Sequence, residues 1–413
     1  MSVASFSRLG TSNTYDSTIA NLQTRQNKLS TLQEQLTSGK KITTPSDDPT
    51  GAAQAERALN RLARIATDQR ALEAQRNSIS QAESTLGEIT DTLQQIRDLA
   101  SAAGNGSYSS SDRRTVSLQI TGLRDRLIEL ANTQDSNGQP LFSALGSALR
   151  PFVGPAVSPD YSFNGLAGSA TGDTYGIPST LDGESAFMLQ SGRDAAYNVQ
   201  PNSGSKLTST GVSLTNSTLV PANAKDLTYR VYNMSVSGNT VTYSVDTTDT
   251  STSTTSSQTG LTASWSPTSG FVVPDIPGVT FSIKGNPTAT DSVDIAPNTS
   301  VFATVDKAIN GIANAANSTE ANQAVSQALH NIDISLNRIS AVRGQAGDLL
   351  NRADIINANN DKRNVEQEAN RSRAEDMDMV KGVSAFQNQT TGYQAALQSY
   401  AQIQKLSLFN FIS

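Results

Sequence analysis

Few residues in this chain could do acid–base, nucleophilic or metal chemistry, and they are scattered. His330 is the only histidine. One imidazole alone makes neither a catalytic triad nor a metal site. It falls on a helical stretch, off the apolar seam, where a solvated or capping role is expected. Asp47 and Asp48 stand together between Pro45 and Pro49 and could in principle bind a divalent cation. A calcium loop, however, needs more oxygen ligands at regular spacing, and capping of the next helix explains the pair better. Glu375-Asp376-Met377-Asp378 is acidic, but no second carboxylate cluster is tied to it by local spacing. A solvated turn or hinge is expected there rather than general acid–base catalysis. The chain has no cysteine, which excludes disulfides, cysteine zinc sites and thiol catalysis. It has neither a P-loop nor a credible dinucleotide fingerprint. No enzymatic activity, metal or cofactor is expected.

What the residue spacing offers instead is adhesion between helices. Met379, Val383, Phe386, Tyr393, Leu397, Tyr400, Ile403 and Leu406 repeat at steps of three and four, with Thr390 filling the open place. That is a heptad seam, and a heptad seam needs a partner helix. Leu408, Phe409, Phe411 and Ile412 extend the apolar surface beyond it. Tyr15, Ile19, Leu22, Leu29 and Leu36 follow the same rhythm at the other terminus, with Gln26 and Gln33 in the gaps. An antiparallel pair of terminal helices follows. Such a pair leaves its outer faces wet, so both helices are expected to pack into neighbouring subunits and to be mobile before they do.

The elements that carry these seams are legible between the termini. One helix is expected over 12–38, ended by Ser38-Gly39, with Gly39 suited to the left-handed position after a helix. Pro45, Asp47, Asp48 and Pro49 make a fixed turn, Asp48 capping a second helix and Pro49 sitting in its first turn. That helix runs from about 50 to 102 on the seam Leu72, Gln75, Ile79, Ala82, Leu86, Ile89, Leu93, Ile96, Ala100. At 1.5 Å per residue it would span ~75 Å, a length only parallel rods can support. Ala103-Gly104-Asn105-Gly106 breaks it. A third helix, antiparallel to the second, starts near Ser109 and carries Val116, Ile120, Leu123, Leu127 and Leu130 to about Asn132. Helix returns near 301, with Leu329, Ile332, Leu336, Ile339, Ala346, Leu350 and Ala353 on its seam. It runs through the polar stretch 357–373 into the terminal helix. The seams of 57–132 and 319–356 are expected to form an intramolecular core.

From the turn Asp135-Ser136-Asn137-Gly138 to about 300, Ser, Thr, Gly, Asn and Pro dominate. Strands are expected at 227–232, 234–236, 241–245, 271–273 and 279–283, with a hairpin at Gly238-Asn239. Residues 247–258, almost pure Ser and Thr, read as a flexible loop. Because 146–299 starts and ends at the helical stem, its removal should leave the stem closed. Only 5% of the 413 residues are aromatic and 36% hydrophobic, lean for one large core and suited to helical rods with a polar β module. A net charge of −6 makes nucleic acid an unsuitable partner. No apolar run is long enough to span a membrane. Met1 to Gly10 lacks the pattern of a cleavable secretory signal.

Four stretches together resemble the flagellin family. They are Leu36-Thr37-Ser38-Gly39-Lys40-Lys41 with Pro45-Ser46-Asp47-Asp48-Pro49; Gly104-Asn105-Gly106 with Ser111-Asp112-Arg113; Asp135-Ser136-Asn137-Gly138 leading to Leu141-Phe142-Ser143; and, most specific, the tail from Tyr400 to Ile412. The resemblance covers about 1–145 and 300–413 and says nothing specific about 146–299; the segment before Tyr15 departs from it. It implies a mainly α fold with an inserted β module: an N-terminal inner-core helix at 1–45, halves of a helical rod at 46–140 and 301–360, a β-rich outer domain at 141–300 and a C-terminal inner-core helix at 361–413. It implies a structural protein of the hook–filament junction, exported to the flagellum outside the cell by the flagellar type III apparatus. The implied partners are an FlgK-like junction protein, flagellin, further copies in a ring and an FlgN-like export chaperone on the C-terminal helix. The alternative is flagellin itself, polymerising with its own copies.

Overall fold

The computed structural model describes residues 11–155, 161–168 and 175–412; of the helical termini, side chains are described only from 16 to 402. Met1 to Gly10, and the side chains of Tyr15, Ile403, Leu406, Leu408, Phe409 and Phe411, lie outside the described residues. Helices are α1 (Thr11–Ser38), α2 (Pro49–Ala103), α3 (Ser110–Ala131), α4 (Gly183–Phe187), α5 (Ser191–Asp194), α6 (Val301–Asn314), α7 (Ser318–Glu375) and α8 (Met379–Ile412). The chain divides into two compact units, 1–70 with 357–413, and 71–356.

In the 71–356 unit, the heptad seams form an internal core, as expected. Ile79, Leu86, Ile89, Leu93 and Ile96 of α2 are fully buried with Ile120 and Leu127 of α3 and Ile332 and Ile339 of α7. Polar pairs at the edges of this core give the helix directions. Arg97, Glu83 and Arg76 of α2 meet Asp333, Arg343 and Asp354 of α7 at 2.7, 2.6 and 3.3 Å, so the two helices run antiparallel. Glu88 of α2 meets Arg126 at 3.5 Å while the earlier Ser78 meets the later Asp135, which sets α3 antiparallel to α2. Ser109 caps α3 with a reciprocal box, its hydroxyl accepting from the Asp112 amide and its own amide donating to the Asp112 carboxylate. One helix was expected from 301 onward into the terminal helix, but three are present among the described residues, α6, α7 and α8. Ala315, Ala316 and Asn317 separate α6 from α7, because the Asn317 side chain accepts from the Glu320 amide in the first turn of α7 and the Glu320 carboxylate reaches back to the Ala316 amide, which restarts the helix.

The polar middle adds eleven strands among the described residues: β1 (Phe152–Val153), β2 (Ser162–Phe163), β3 (Tyr197–Pro201), β4 (Thr208–Ser209), β5 (Ser213–Leu214), β6 (Leu227–Ser237), β7 (Thr240–Asp249), β8 (Thr254–Ser264), β9 (Phe271–Val273), β10 (Val279–Lys284) and β11 (Val293–Pro297). One antiparallel sheet has the order β3-β11-β6-β7-β8; β10 pairs with β4, β5 and β9; and β1 pairs with β2. Inward residues such as Val199, Val231, Val245, Phe281, Ile283 and Ile295 share one core. The expected hairpin at Gly238 is present, with φ +61°. The expected loop at 247–258 is not: it forms the turn end of the β7–β8 hairpin, which pairs from Asp249↔Thr254 to Thr240↔Ser264 with a bulge between Tyr243 and Val245. Thr is β-branched and fits a pleated surface even when both faces are wet.

The module's core begins at Ala195, not at 141. Phe142, Phe152 and Phe187 pack with Phe302 of α6, with ring centroids 4.9–5.6 Å apart, and all belong to the helical core. Removal of 146–299 would therefore take out two of these rings, contrary to the expectation that the stem would close without it. The chain enters and leaves the β module side by side, the Asn298 amide donating to the Ala196 carbonyl at 2.8 Å. His330 is neither solvated nor capping. It is half-buried, and its Nε2–H donates to the Val212 carbonyl at 3.0 Å, tying α7 to the module.

Candidate functional site

In the unit formed by 1–70 and 357–413, the turn after α1 is built as its residues dictate. Gly39 sits at φ +71°, a left-handed position where a side chain is strained. The Asp47 carboxylate accepts from the Thr43 and Thr44 amides at 3.1 and 2.8 Å, with the Thr43 hydroxyl also donating. The Thr44 and Thr43 contacts hold it below the usual carboxylate range. Asp48 Oδ1 accepts from the Thr50 and Gly51 amides, capping α2, and Pro49 opens that helix. The paired aspartates are thus both occupied by chain amides, as the capping reading requires. Pro45 is exposed in the turn.

The acidic stretch 375–378 joins this turn, which the sequence did not reveal. The Lys41 amide donates to the Glu375 carbonyl at 2.8 Å and the Met377 amide to the Gly39 carbonyl at 2.9 Å, a short antiparallel bridge between Lys40 and Asp376. Lys40 pairs with Glu375, and the Lys41 ammonium donates to the Arg373 carbonyl at 2.9 Å. Asp378 then caps α8 through the Val380 and Lys381 amides, so α7 and α8 are two helices with a fixed corner between them. The only foresight available was the acidic turn itself; its partner is 335 positions away in sequence and leaves no local signal.

From this corner α1 and α8 pack against each other in opposite directions: Gly382 abuts Leu36, and Gly392, farther along α8, abuts Arg25, earlier in α1. The contact is shallow. No described side chain of α1 is buried; Ile19, Leu22, Leu29 and Leu36 are half-covered, as are Phe386, Tyr393 and Tyr400 of α8. Leu32 and Arg25 take the places assigned to Gln33 and Gln26. The inner face of α8 passes through Gly382, Phe386, Thr390, Tyr393 and Ala396, so three expected seam residues, Met379, Val383 and Leu397, fall outside it. Val383 is 43% exposed and Leu397 42%, with Met379 at 48% and Val380 at 78% beside them. Gly382 was missed as a contact. A Cβ there would lie 2.4 Å from Met377 Cε, and a glycine inside a helical seam is the one sign that a close approach was intended. Among the described residues no group of His, Cys, Asp or Glu could hold a metal. No described helix is long and apolar enough to cross a membrane.

Residues 10–146 match the bacterial flagellin N-terminal helical region. The chain is 32% identical over 153 residues to the flagellar hook-associated protein 3 of Salmonella typhimurium, a match covering 35% of this chain and 46% of that one. It thus spans about half the length of the curated relatives it matches. Among solved structures, the flagellar hook-associated protein 3 of Legionella pneumophila superposes with a TM-score of 0.61 at 23% identity, over 76% of this chain and 97% of that one. The flagellar junction protein FlgL from Legionella pneumophila superposes with a TM-score of 0.54 at 24% identity, over 73% and 99%. These relatives are structural flagellar proteins. Residues 10–146 thus resemble the bacterial flagellin N-terminal helical region, and the chain shares its fold with the solved flagellar hook-associated proteins.

Proposed function

We propose that this protein joins the hook of a bacterial flagellum to its filament and presents the surface on which flagellin polymerises. The observation that carries the reading is the uncovered apolar side of α8. Met379, Val380, Val383 and Leu397 are too exposed for a helix that packs only on α1, and neighbouring subunits are the cover that fits them. Ile403, Leu406, Leu408, Phe409 and Phe411 continue the same helix in sequence and extend its adhesive length. Ile19, Leu22, Leu29 and Leu36 would complete the packing from the α1 side. In this reading the segments 1–45 and 361–413 are the assembly helices, 46–140 with 301–360 the stem, and 141–300 the outer part. The partners are further copies in a ring, an FlgK-like junction protein on the hook side, flagellin on the other and an FlgN-like chaperone holding α8 during export through the flagellar type III apparatus to the cell exterior.

The test is Val383→Ala with Leu397→Ala in the native strain. Melting of the purified protein should not change, since neither residue is in the folded core. Unpolymerised flagellin should appear in the medium while the variant itself is still secreted. Normal filaments on cells that secrete the variant would sink the reading. The match of 10–146 to a flagellin region favours one second reading, a self-polymerising filament subunit. Addition of purified protein to filament seeds separates the two: a filament subunit elongates them indefinitely.

A further inference from the structure

Where the β module meets the helices, within the 71–356 unit, the structure encloses a cavity of about 360 Å³ between the β3–β4 region and helices α6 and α7. Its size falls in the range of small-molecule pockets. Its chemistry is unusual for a junction between packed layers. Carboxamides dominate the wall: Asn198, Gln200, Asn310, Gln323, Gln327 and Asn331. Three of these are nearly sealed from solvent, Gln323 at 6% exposure, Gln327 and Asn331 at 2%. Two of them are already fully occupied in tying α7 to the module. Gln323 accepts from the Ser209 amide and donates to the Val199 carbonyl, and Gln327 donates to the Thr210 carbonyl. Asn331 is different. Its Nδ2 donates to the Tyr197 carbonyl at 2.9 Å, but its Oδ1, buried, has no partner. A buried acceptor without a donor costs free energy that a folded protein seldom leaves standing.

We propose that this cavity binds a small polyhydroxylated molecule, a mono- or disaccharide, with a hydroxyl donating to Asn331 Oδ1. The wall selects this class in three ways. Carboxamides both donate and accept, and so do hydroxyls, so Asn331 Oδ1 together with Asn198, Gln200 and Asn310, which are not spent on docking α7, suits a ligand rich in hydroxyls. The wall carries one cation, Lys307, and one anion, Glu320, so it presents no net charge to an ionic ligand. Small apolar residues, Ala308, Ala324 and Ala328, offer the flat contact that the C–H face of a sugar ring needs. No aromatic side chain lines the cavity, so binding rests on hydrogen bonds and belongs to the weak, millimolar range.

The experiment titrates maltose, trehalose and N-acetylglucosamine, one at a time, into the full-length protein and follows side-chain amide signals by NMR. A rise in melting temperature is not used, because sugars raise it for any protein by exclusion from its surface. The expected result is a saturable shift of the Gln323, Gln327 and Asn331 carboxamide signals with at least one sugar. In Asn310→Trp, which places a large ring at the exposed rim and touches none of the inner amides, the same titration should weaken by about tenfold or more. Shifts that rise linearly with concentration across the whole surface, shifts that Asn310→Trp leaves unchanged, or none at all with any of the three sugars would mean the cavity holds water only, and the proposal falls.

Discussion

Asp135, Asp291, Glu320 and Asp306 show how single carboxyls in the larger unit set its response to acid. Burial pushes Asp135 up, but the Gln139 and Asn137 amides and the Ser78 hydroxyl outweigh it and hold the carboxyl below its ordinary value. Asp291 is lowered in the same way: Ser205 and Thr288 overcome burial. Glu320 is lowered first by the Ala316 amide and then by Gly204. Groups lowered on folding contribute stability that is present above their unfolded pKa and is lost as pH falls through the folded one. Asp306 has the opposite sign. Burial raises it, more than the Tyr161 hydroxyl at 2.8 Å and Arg124 at 2.7 Å lower it, and burial also pushes Tyr161 up to about 12. Asp306 therefore disfavours the fold less as it becomes protonated. The wild-type protein should lose melting temperature from about pH 5 downward. Asp306→Asn removes the opposing group, so its melting temperature should fall more steeply over the same acid interval. Parallel curves would show that Asp306 does not titrate as described. At the other unit, Gly39→Ala should cost about 1 kcal/mol through its positive φ, read as earlier loss of α1 protection in hydrogen exchange.

At the scale of elements, helices advertise themselves and strands built from Ser and Thr do not. The seam from Leu72 to Ala100 was legible because a repeat of three and four has one structural meaning over that length. The Gly39–Pro49 turn was legible because each residue does a local job. The β7–β8 hairpin was misread because composition outvoted Thr's preference for extended backbone. Strands β3 and β11 were missed because each is short and finds its partner far away, Tyr197 opposite Pro297. The aromatic cluster around Phe302 was invisible for the same reason: four single rings with no period among them. In the candidate surface, the apolar residues were found, but which side of α8 faces α1 was not, because Gly382 and Ala396 steer the helix by being small. The energetic contrast between elements is testable. Ile89→Ala, in a fully buried place, should cost about 2–5 kcal/mol in denaturant unfolding. Leu397→Ala, 42% exposed, should cost well under 1 kcal/mol. Equal losses would mean that the α8 seam is already packed in the free chain.

For the whole molecule, the layout predicts where it can be cut. Because Ala196 and Asn298 are hydrogen-bonded neighbours, excision of 197–297 with a short Gly/Ser join leaves the aromatic cluster intact. That deletion should retain a cooperative helical melt by circular dichroism. A join of Gln139 to Val301 removes Phe142, Phe152 and Phe187 together, at about 3–5 kcal/mol for each lost ring, and should yield a broad transition or insoluble protein. If both deletions melt alike, the cluster is not part of the helical core. The seam expected from sequence also bears on proteolysis: with no described α1 side chain buried, brief trypsin treatment of the monomer should remove the terminal helices before it enters 71–356.

The attachment of the module has one more consequence. Gln323, Gln327, Asn331 and His330 reach mainly for main-chain groups of Val199, Ser209, Thr210, Tyr197 and Val212. Helix α7 thus recognises the path of the strands and is blind to most of their side chains. Residues on the solvent side of β6, β7 and β8 are free to be rewritten wholesale, in charge, bulk or antigenic character, without the docking having to be renegotiated. The molecule separates a surface that must fit its neighbours from one that can keep changing its face.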